Sequence, residues 1–221
     1  MNQSAMEAFR TKYRQTISKY YSGWLHMFSV LIVGLIVMLY AAGQLNNVEA
    51  IEWLALPITL LVVNFCEYAA HRWLGHKKTK LAKLFYSRHT GDHHSFFLEN
   101  YLPWLSTKDW RVVLFPTYLI FAFVLGLILP LGTLLHWYVS PNTAYLVAIA
   151  AIFGYLLYEV MHFSYHLPDG SFVERIPVWR ELRQLHNLHH RRNLMTKENF
   201  NITLPIFDWI LNTLYWEKPQ K

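Results

Sequence analysis

The chain has 221 residues, of which 54% are hydrophobic and only 15% carry a charge, against about 25% charged in soluble proteins. The single cysteine, Cys66, excludes an intramolecular disulfide and a thiolate metal site, so any metal must be held by nitrogen and oxygen. The many Trp, Tyr and Phe residues are typical of a chain that meets a bilayer interface.

Four long apolar segments are predicted to cross the membrane, because each has enough residues to span about 30 Å of hydrocarbon at ~1.5 Å per helical residue. We expect spans at about 24–45, 51–73, 111–135 and 143–165, within a single membrane domain that covers residues 1–221. The alternative, a soluble helical protein with long core helices, conflicts with segments of this length that carry almost no charge.

The net charge of +6 is distributed asymmetrically along the chain. All 20 Lys and Arg residues lie in 1–22, 72–111 and 166–221, and the turns 45–50 and 136–142 contain none. By the positive-inside rule both termini are predicted to be cytosolic, and we expect a bacterial inner membrane in preference to the endoplasmic reticulum. The basic loop residues are expected to face anionic headgroups rather than nucleic acid. They are Lys77, Lys78, Lys80 and Lys83.

Ten of the 12 histidines fall into two pairs and two triplets, which topology places at the cytosolic ends of spans two and four or just beyond them. The pairs are His71/His76 and His162/His166, and the triplets are His89/His93/His94 and His186/His189/His190. The fold class is therefore an all-α membrane protein with four spans and a cytosolic helical cap, whose histidine-rich core is 71–190. Ten imidazoles exceed the six ligands of one octahedral ion and match two neighbouring ions at about five each.

Helical spacing gives more detail on the clusters. Positions i, i+3 and i+4 share one face of a helix, so we expect all three imidazoles of the second triplet to point into one site. His71 and His76 would lie about 140° apart on an unbroken α-helix, and Gly75 allows the chain to leave that geometry. Candidate carboxylates to orient the rings are Glu67, Asp92, Glu159 and Glu198. His26 and His136 are expected to be ordinary interfacial residues.

The four histidine motifs resemble those of the fatty acid hydroxylase / sterol desaturase superfamily, closest to its fatty acid and sphingolipid 2-hydroxylase branch. The resemblance covers roughly residues 60–215 and includes Asn199-Phe200-Asn201, Pro205–Asp208 and Asn212-Thr213. Three residues separate His89 from His93, where that branch usually has two. Asn201 and Asn212 stand where the family often has Gly, and Asn tolerates left-handed backbone better than other residues with side chains.

The resemblance implies a membrane di-iron enzyme that hydroxylates a lipid acyl chain with O2 and external electrons. The ten histidines are then the metal ligands, with no catalytic or cofactor-binding residue beyond them. Two iron ions are expected, and zinc can replace iron in an isolated sample because imidazole suits both. A separate donor, cytochrome b5-like or a ferredoxin with its reductase, is expected because the sequence shows no flavin, haem or iron–sulfur motif. Aromatic residues are candidates to line the entrance: Phe65, Phe96, Phe97, Tyr101 and Trp104.

Two other functions stay open. A lipid or sterol desaturase of the same superfamily shares the first hydrogen abstraction and stays open. Plain acyl desaturases also share histidine-rich motifs but generally need fewer histidines, so the additional His162/His166 pair favours the hydroxylase-like superfamily over them. A membrane metal transporter or sensor is the rival of a different class. Transporters place their ligands near the bilayer midplane, whereas these histidines gather at one face. The substrate stays open among fatty acids, sphingolipids, sterols and carotenoids.

Overall fold

The chain is built from helices. The computed structural model describes residues 2–80 and 82–217, and within these ranges no β-strand forms, although an isolated bridge pairs Leu98 with Tyr101. The α-helices, numbered α1 to α11 in chain order, are Gln3–Gln15, Gly23–Gly43, Ala55–Ala69, Lys83–Tyr86, His94–Phe96, Trp110–Val113, Tyr118–Phe123, Leu129–Tyr138, Pro141–Tyr165, Trp179–His189 and Ile206–Ile210. The predicted all-α class is confirmed.

Helical turns of other spacings continue or connect the α-helices. The 3-10 helices are Glu52–Leu54, Thr107–Asp109 and Phe172–Arg175, and the π-helices are Ala70–Gly75, Ser87–His93 and Val124–Ile128. A π-helix bonds residue i to i+5, is rare, and occurs frequently at functional sites. Two of these π-helices contain histidines of the predicted site.

Four helical stretches are long and apolar enough to cross a membrane, as predicted. They are Gly23–Gly43, Glu52–Gly75, Thr107–Tyr138 and Pro141–Tyr165. Their ends lie within four residues of the predicted ends, and together they indicate a multi-pass membrane protein. The third stretch is interrupted between α6 and α7, where Pro116 lacks the N–H that a continuous helix needs.

The contact pattern divides the chain into two units. Among the described residues, the first unit comprises those up to Gly23, then Asn64–Leu114, then those from Met161 onward. This unit carries all ten clustered histidines. Its hydrophobic core is largely aromatic and consists of Tyr13, Ile17, Phe96, Phe97, Leu102, Val112 and Val113.

The second unit comprises Trp24–Val63 and Phe115–Val160. Its core consists of Val30, Ile120, Ile128, Ala151, Ile152 and Tyr155. Many of its other large apolar side chains are exposed, including Leu25, Ile36, Leu39, Leu125 and Leu134. Apolar surface on this scale is typical of helices that face lipid, since soluble monomers rarely expose large apolar patches.

The two histidines outside the clusters lie in the second unit. His26 is not a simple interfacial residue, since it is buried and its Nε2 atom lies 2.7 Å from the carbonyl oxygen of Phe115. His136 lies in the last turn of α8. The single domain over residues 1–221 and the cytosolic side of the histidine-rich cap stay predictions.

Candidate metal centre

The ten predicted ligands gather within the first unit. Cluster one consists of His71, His76, His89, His94 and His189, and cluster two consists of His93, His166, His186 and His190. Within each cluster the candidate ligand atoms all lie within 4.8 Å of one another. The tenth histidine, His162, borders cluster two, with its Nε2 atom 3.3 Å from that of His93.

Each triplet is divided between the two clusters. His89 and His94 belong to cluster one and His93 to cluster two; His189 belongs to cluster one, and His186 and His190 to cluster two. The prediction that the second triplet faces one site is therefore wrong. His190, the residue that follows α10, lies one helical turn beyond His186, whereas His189 lies about 100° from His190 around the helix axis. Consecutive histidines consequently supply different clusters, and the two clusters adjoin.

The π-helices bring histidines five positions apart onto one side. The imidazole centroids of His71 and His76 are 5.1 Å apart, and those of His89 and His94 are 4.7 Å apart. An α-helix would separate such positions by about 140°, but the i to i+5 spacing of a π-helix brings them together. The expected departure from α-helical geometry at His71 and His76 is thus a π-helical turn.

Gly75 provides room in cluster one. A Cβ atom at Gly75 would lie 2.9 Å from Cδ2 of His89 and 3.3 Å from Cε1 of Phe85. Any side chain at this position would displace the His89 ring or the backbone. The glycine therefore permits the close approach of two histidine-bearing segments.

The spacing of the Nε2 atoms in cluster one fits a shared cation. His76 lies 3.0 Å from His189 and 3.1 Å from His89, and His89 lies 3.1 Å from His94. Two imidazoles bound to one ion at about 2.0–2.1 Å are separated by about 3.0 Å in octahedral and 3.3 Å in tetrahedral geometry. Moreover, the Nε2 atom of His71 is buried and has no hydrogen-bond partner in the described part of the chain. A cation would satisfy this atom, and the residues therefore fit a metal.

Cluster two has the same spacing. The Nε2 atom of His186 lies 3.1 Å from those of His166 and His190, and His93 lies 3.2 Å from His190. The His94 and His190 rings, one from each cluster, have centroids 4.3 Å apart. The arrangement provides two neighbouring sites for transition metals that accept nitrogen ligands.

Backbone carbonyls hold the opposite side of several of these rings. The Nδ1 atoms of His93, His166, His189 and His190 lie 2.8–3.1 Å from the carbonyl oxygens of Val112, Leu102, Glu198 and Phe97. His71 Nδ1 contacts the Phe200 carbonyl, and His76 Nδ1 lies 3.1 Å from the Thr90 hydroxyl, which donates to the Gly75 carbonyl. A ring that donates from Nδ1 keeps its Nε2 lone pair for a metal.

Burial keeps these imidazoles neutral. Desolvation lowers the pKa of His93 to about 3, and the pKa values of His76, His89, His94, His166, His186, His189 and His190 are lowered by the same cause, with neighbouring imidazoles adding to it. Neutral imidazole is the form that binds metal.

Two of the carboxylates predicted to orient the rings, Glu67 and Glu159, have other partners. Glu67 accepts hydrogen bonds from the backbone amides of Ile202 and Thr203 and, at 2.6 Å, from the Thr203 hydroxyl. Glu159, in the second unit, lies 3.2 Å from the amide of Phe115. Glu198 contributes its backbone carbonyl to His189 rather than its side chain. The orienting acceptors are therefore mainly carbonyls, which a search for acidic residues misses.

The C-terminal motif builds the carbonyl support of cluster one. The fully buried carboxylate of Asp208 accepts hydrogen bonds from the amides of Phe200 and Asn201, at 2.9 and 2.7 Å, and from the Thr213 hydroxyl at 2.7 Å. Burial raises the pKa of Asp208. These contacts fix the turn whose Phe200 carbonyl holds His71. The sequence motif alone gives no indication of this role for Asp208.

The two asparagines that were expected to occupy glycine positions of the resembled family differ in conformation. Asn212 has a φ of 55°, in the left-handed region as expected, whereas Asn201 has no positive φ. The Asn201 amide nitrogen instead lies 3.0 Å from the Asn64 carbonyl, and its oxygen accepts from the amide of Phe207 at 3.1 Å. Asn201 therefore acts through its side chain.

Of the predicted entrance aromatics, Phe97 contacts the site directly. Its ring is fully buried and lies 4.1 Å from the His166 ring between centroids. Phe96 is buried beside Tyr13, Trp104 packs against Trp110, and Phe65 packs against Phe207. Tyr101 is partly exposed. Phe200, whose ring packs against His71 and His189 of cluster one, belongs to the C-terminal motif but was not predicted as an entrance residue.

A fold of this kind, with two adjoining histidine clusters, belongs to a known class of membrane enzymes. The chain matches the fatty acid hydroxylase family over residues 56–213. It belongs to this family, and the resemblance seen in the sequence is confirmed.

Among individual proteins, the chain is 29% identical over 178 residues to the dihydroceramide fatty acyl 2-hydroxylase FAH2 of Arabidopsis thaliana. The match covers 76% of this chain and 66% of the relative, so the chain spans just under two thirds of that protein's length. The fold is similar to the hydroxylase domain seen in full-length scs7p, with a TM-score of 0.59 at 23% identity over 90% of this chain and 69% of that one. At this identity the second likeness concerns the fold alone.

Proposed function

We propose that the protein is a membrane di-iron oxygenase that hydroxylates a lipid acyl chain with O2 and external electrons. Family membership supports an oxidoreductase that acts on lipid. The observation that carries the finer proposal is the pair of adjoining clusters, each with neutral imidazole Nε2 atoms 3.0–3.3 Å apart. All ten histidines are proposed as ligands, with His162 completing cluster two.

The metal pair supplies what the side chains lack, namely activation of O2 and removal of hydrogen from an unactivated C–H bond. The chain's part is to hold the ligands. Where a carbonyl oxygen accepts from Nδ1, as at His71, His93, His166, His189 and His190, the Nε2 lone pair is held toward the site without further reorganisation. The buried aromatic rings of Phe97 and Phe200 exclude water beside the two clusters.

Hydroxylation is favoured over desaturation by the relative from Arabidopsis thaliana, which is named as a fatty acyl 2-hydroxylase that acts on dihydroceramide. For this protein we propose only the hydroxylation of an acyl chain, and we do not propose dihydroceramide as its substrate. Electrons are proposed to come from a separate donor, cytochrome b5-like or a ferredoxin with its reductase. The single cysteine supports this proposal, since common iron–sulfur clusters need four cysteines.

Both termini and the histidine clusters are proposed to be cytosolic. The location of all 20 Lys and Arg residues in 1–22, 72–111 and 166–221 supports this topology. Reporter fusions after residue 47 and at the C-terminus test it, since only the first should report the non-cytosolic side. The bacterial inner membrane stays the predicted compartment.

The decisive experiment is mass spectrometry of lipids from cells with and without the protein. A product heavier by one oxygen is expected, and it should disappear in a His186→Ala variant and persist in a His136→Ala variant. A product lighter by two hydrogens would identify a desaturase instead. Unchanged lipids, together with metal accumulation in vesicles that contain the protein, would identify a transporter.

A further inference from the structure

Helix α1 precedes the family match, which begins at residue 56, yet one of its faces is buried in the first unit. Met6, Arg10 and Tyr13, followed by Ile17, have exposed fractions of 0, 4, 6 and 7%. Their spacing of four, three and four residues is that of a helical stripe. In the sequence this segment is distinguished only by its basic residues.

Arg10 is the unusual member of this stripe, because a buried guanidinium is costly unless its donors are satisfied. Its Nε atom donates to the carbonyl of Phe96 at 2.8 Å, and its Nη2 atom donates to the carbonyl of Tyr101 at 2.9 Å. Its salt-bridge partner, Glu7, is 3.3 Å away and half exposed. Arg10 therefore serves mainly to bind two backbone carbonyls.

These two carbonyls flank a tight turn. Leu98 and Tyr101 form a bridge in which the Tyr101 amide donates to the Leu98 carbonyl at 2.9 Å, and Phe97 has extended backbone. Arg10 thus binds the backbone on both sides of the turn, at Phe96 and at Tyr101. Its guanidinium also lies 5.1 Å from the centroid of the Phe96 ring.

The residue after each bound carbonyl supports cluster two. The Phe97 carbonyl accepts from His190 Nδ1 at 3.0 Å, and the Leu102 carbonyl accepts from His166 Nδ1 at 2.8 Å. Successive carbonyls of extended backbone, such as that at Phe97, point in opposite directions. On each side of the turn, one carbonyl therefore accepts from Arg10 and the next accepts from a histidine.

Three rings of cluster one take their support from elsewhere. The Nδ1 atoms of His71 and His189 contact the carbonyls of Phe200 and Glu198, and His76 contacts Thr90. None of these three acceptors belongs to the turn that Arg10 holds. Loss of Arg10 should therefore affect the two clusters unequally.

We propose that Arg10 is a positioning residue for cluster two, which fixes the Phe97 and Leu102 carbonyls that orient His190 and His166. This proposal rests on one part of the proposed function, namely that both clusters bind metal. It makes α1 part of the metal centre, although this helix lies outside the matched family region.

The test is a metal titration of the full-length chain in detergent against a chelator of known affinity. We compare Arg10→Met with Lys12→Met, which removes an exposed charge from the same helix. Changes in groups that orient a ligand typically weaken metal affinity 10- to 100-fold. Arg10 is one contact further from the metal than such a group. Its loss should therefore lower the affinity for one of the two metal ions about 10-fold and leave the affinity for the other unchanged. Arg10→Lys, which keeps the charge but not the fork of donors, should fall between.

Pairing with ligand variants identifies the weakened site. When His76→Ala and His189→Ala are added to Arg10→Met, only the weakly bound metal ion of cluster two should remain. When His166→Ala and His186→Ala are added instead, only the tightly bound ion of cluster one should remain. Equal affinities in Arg10→Met and Lys12→Met would overturn the proposal, as would equal weakening of both equivalents or the loss of all metal. If the unaltered chain binds no metal, the proposed function itself fails.

Discussion

The Nε2 atoms of His76 and His189 lie 3.0 Å apart although 113 residues separate these histidines in the chain. The Nδ1 atoms of both rings have acceptors, the Thr90 hydroxyl and the Glu198 carbonyl. The two Nε2 lone pairs therefore face each other, an arrangement that is repulsive until a cation lies between them. Metal binding is consequently linked to the stability of the first unit.

Removal of metal should lower the thermal stability of the protein. Binding to the folded state alone adds about 2.7 kcal/mol when the free ion is at 100 times its Kd. Thermal unfolding followed by tryptophan fluorescence in detergent, with and without a chelator, measures the effect. The difference should shrink in the variant with His76→Ala and His189→Ala, and an identical Tm with and without chelator would contradict the prediction.

Ligand variants should empty the two sites separately. His76→Ala with His189→Ala removes two ligands from cluster one, and His166→Ala with His186→Ala removes two from cluster two. Each double variant should keep one metal ion per chain, measured by elemental analysis, where the unaltered protein and His136→Ala keep two. If either double variant kept both ions, the assignment of these residues to separate sites would be wrong.

Gly75→Ala should weaken metal binding in cluster one. The added methyl group would lie 2.9 Å from the His89 ring, and overpacking at such a site typically costs about 1–3 kcal/mol. We expect the affinity of one metal equivalent to fall about 10-fold, as when a group that orients a ligand is changed. Gly132→Ala in α8 is the matched control, because nothing lies within 4 Å of its added methyl group. Equal affinities in the two variants would show that His89 has room to move.

Asp208→Ala should destabilise the fold and loosen His71. The change leaves the buried amides of Phe200 and Asn201 and the Thr213 hydroxyl without their acceptor, and an unsatisfied buried polar group costs about 1–3 kcal/mol. The free energy of unfolding should fall by at least this amount, and the metal affinity of cluster one should fall with it. Asp169→Ala, which removes an exposed partner of Arg183, should cost about 1 kcal/mol or less. Similar losses in both variants would remove the special role of Asp208.

Several features were predictable because they depend on local properties of the chain. The length and composition of the apolar segments determine the four spans, and imidazole chemistry singles out the ten clustered histidines. The π-helices were predictable only in part, because Gly75 and the five-residue spacing indicate a departure from the α-helix but not its form.

The support of the rings was not predictable in the same way. A backbone carbonyl has no sequence signature, so the pairing of His71 with the Phe200 carbonyl, 129 residues away, is not visible in the chain. Arg10 gives no stronger signal than the other basic residues near it. Its contact with the Phe96 carbonyl, 86 residues away, exists only once the two segments pack together.

The class of fold, the residue types of the candidate metal centre and the family motifs follow from the amino-acid sequence alone, because hydrophobic length and side-chain chemistry act locally. The division of the triplets between the clusters, and the groups that hold each ring, follow from tertiary contacts. Those choices depend on the direction in which each side chain leaves its helix and on contacts between segments far apart in the chain. His189 and His190 show the difference, since adjacent residues of one chemical type belong to different clusters.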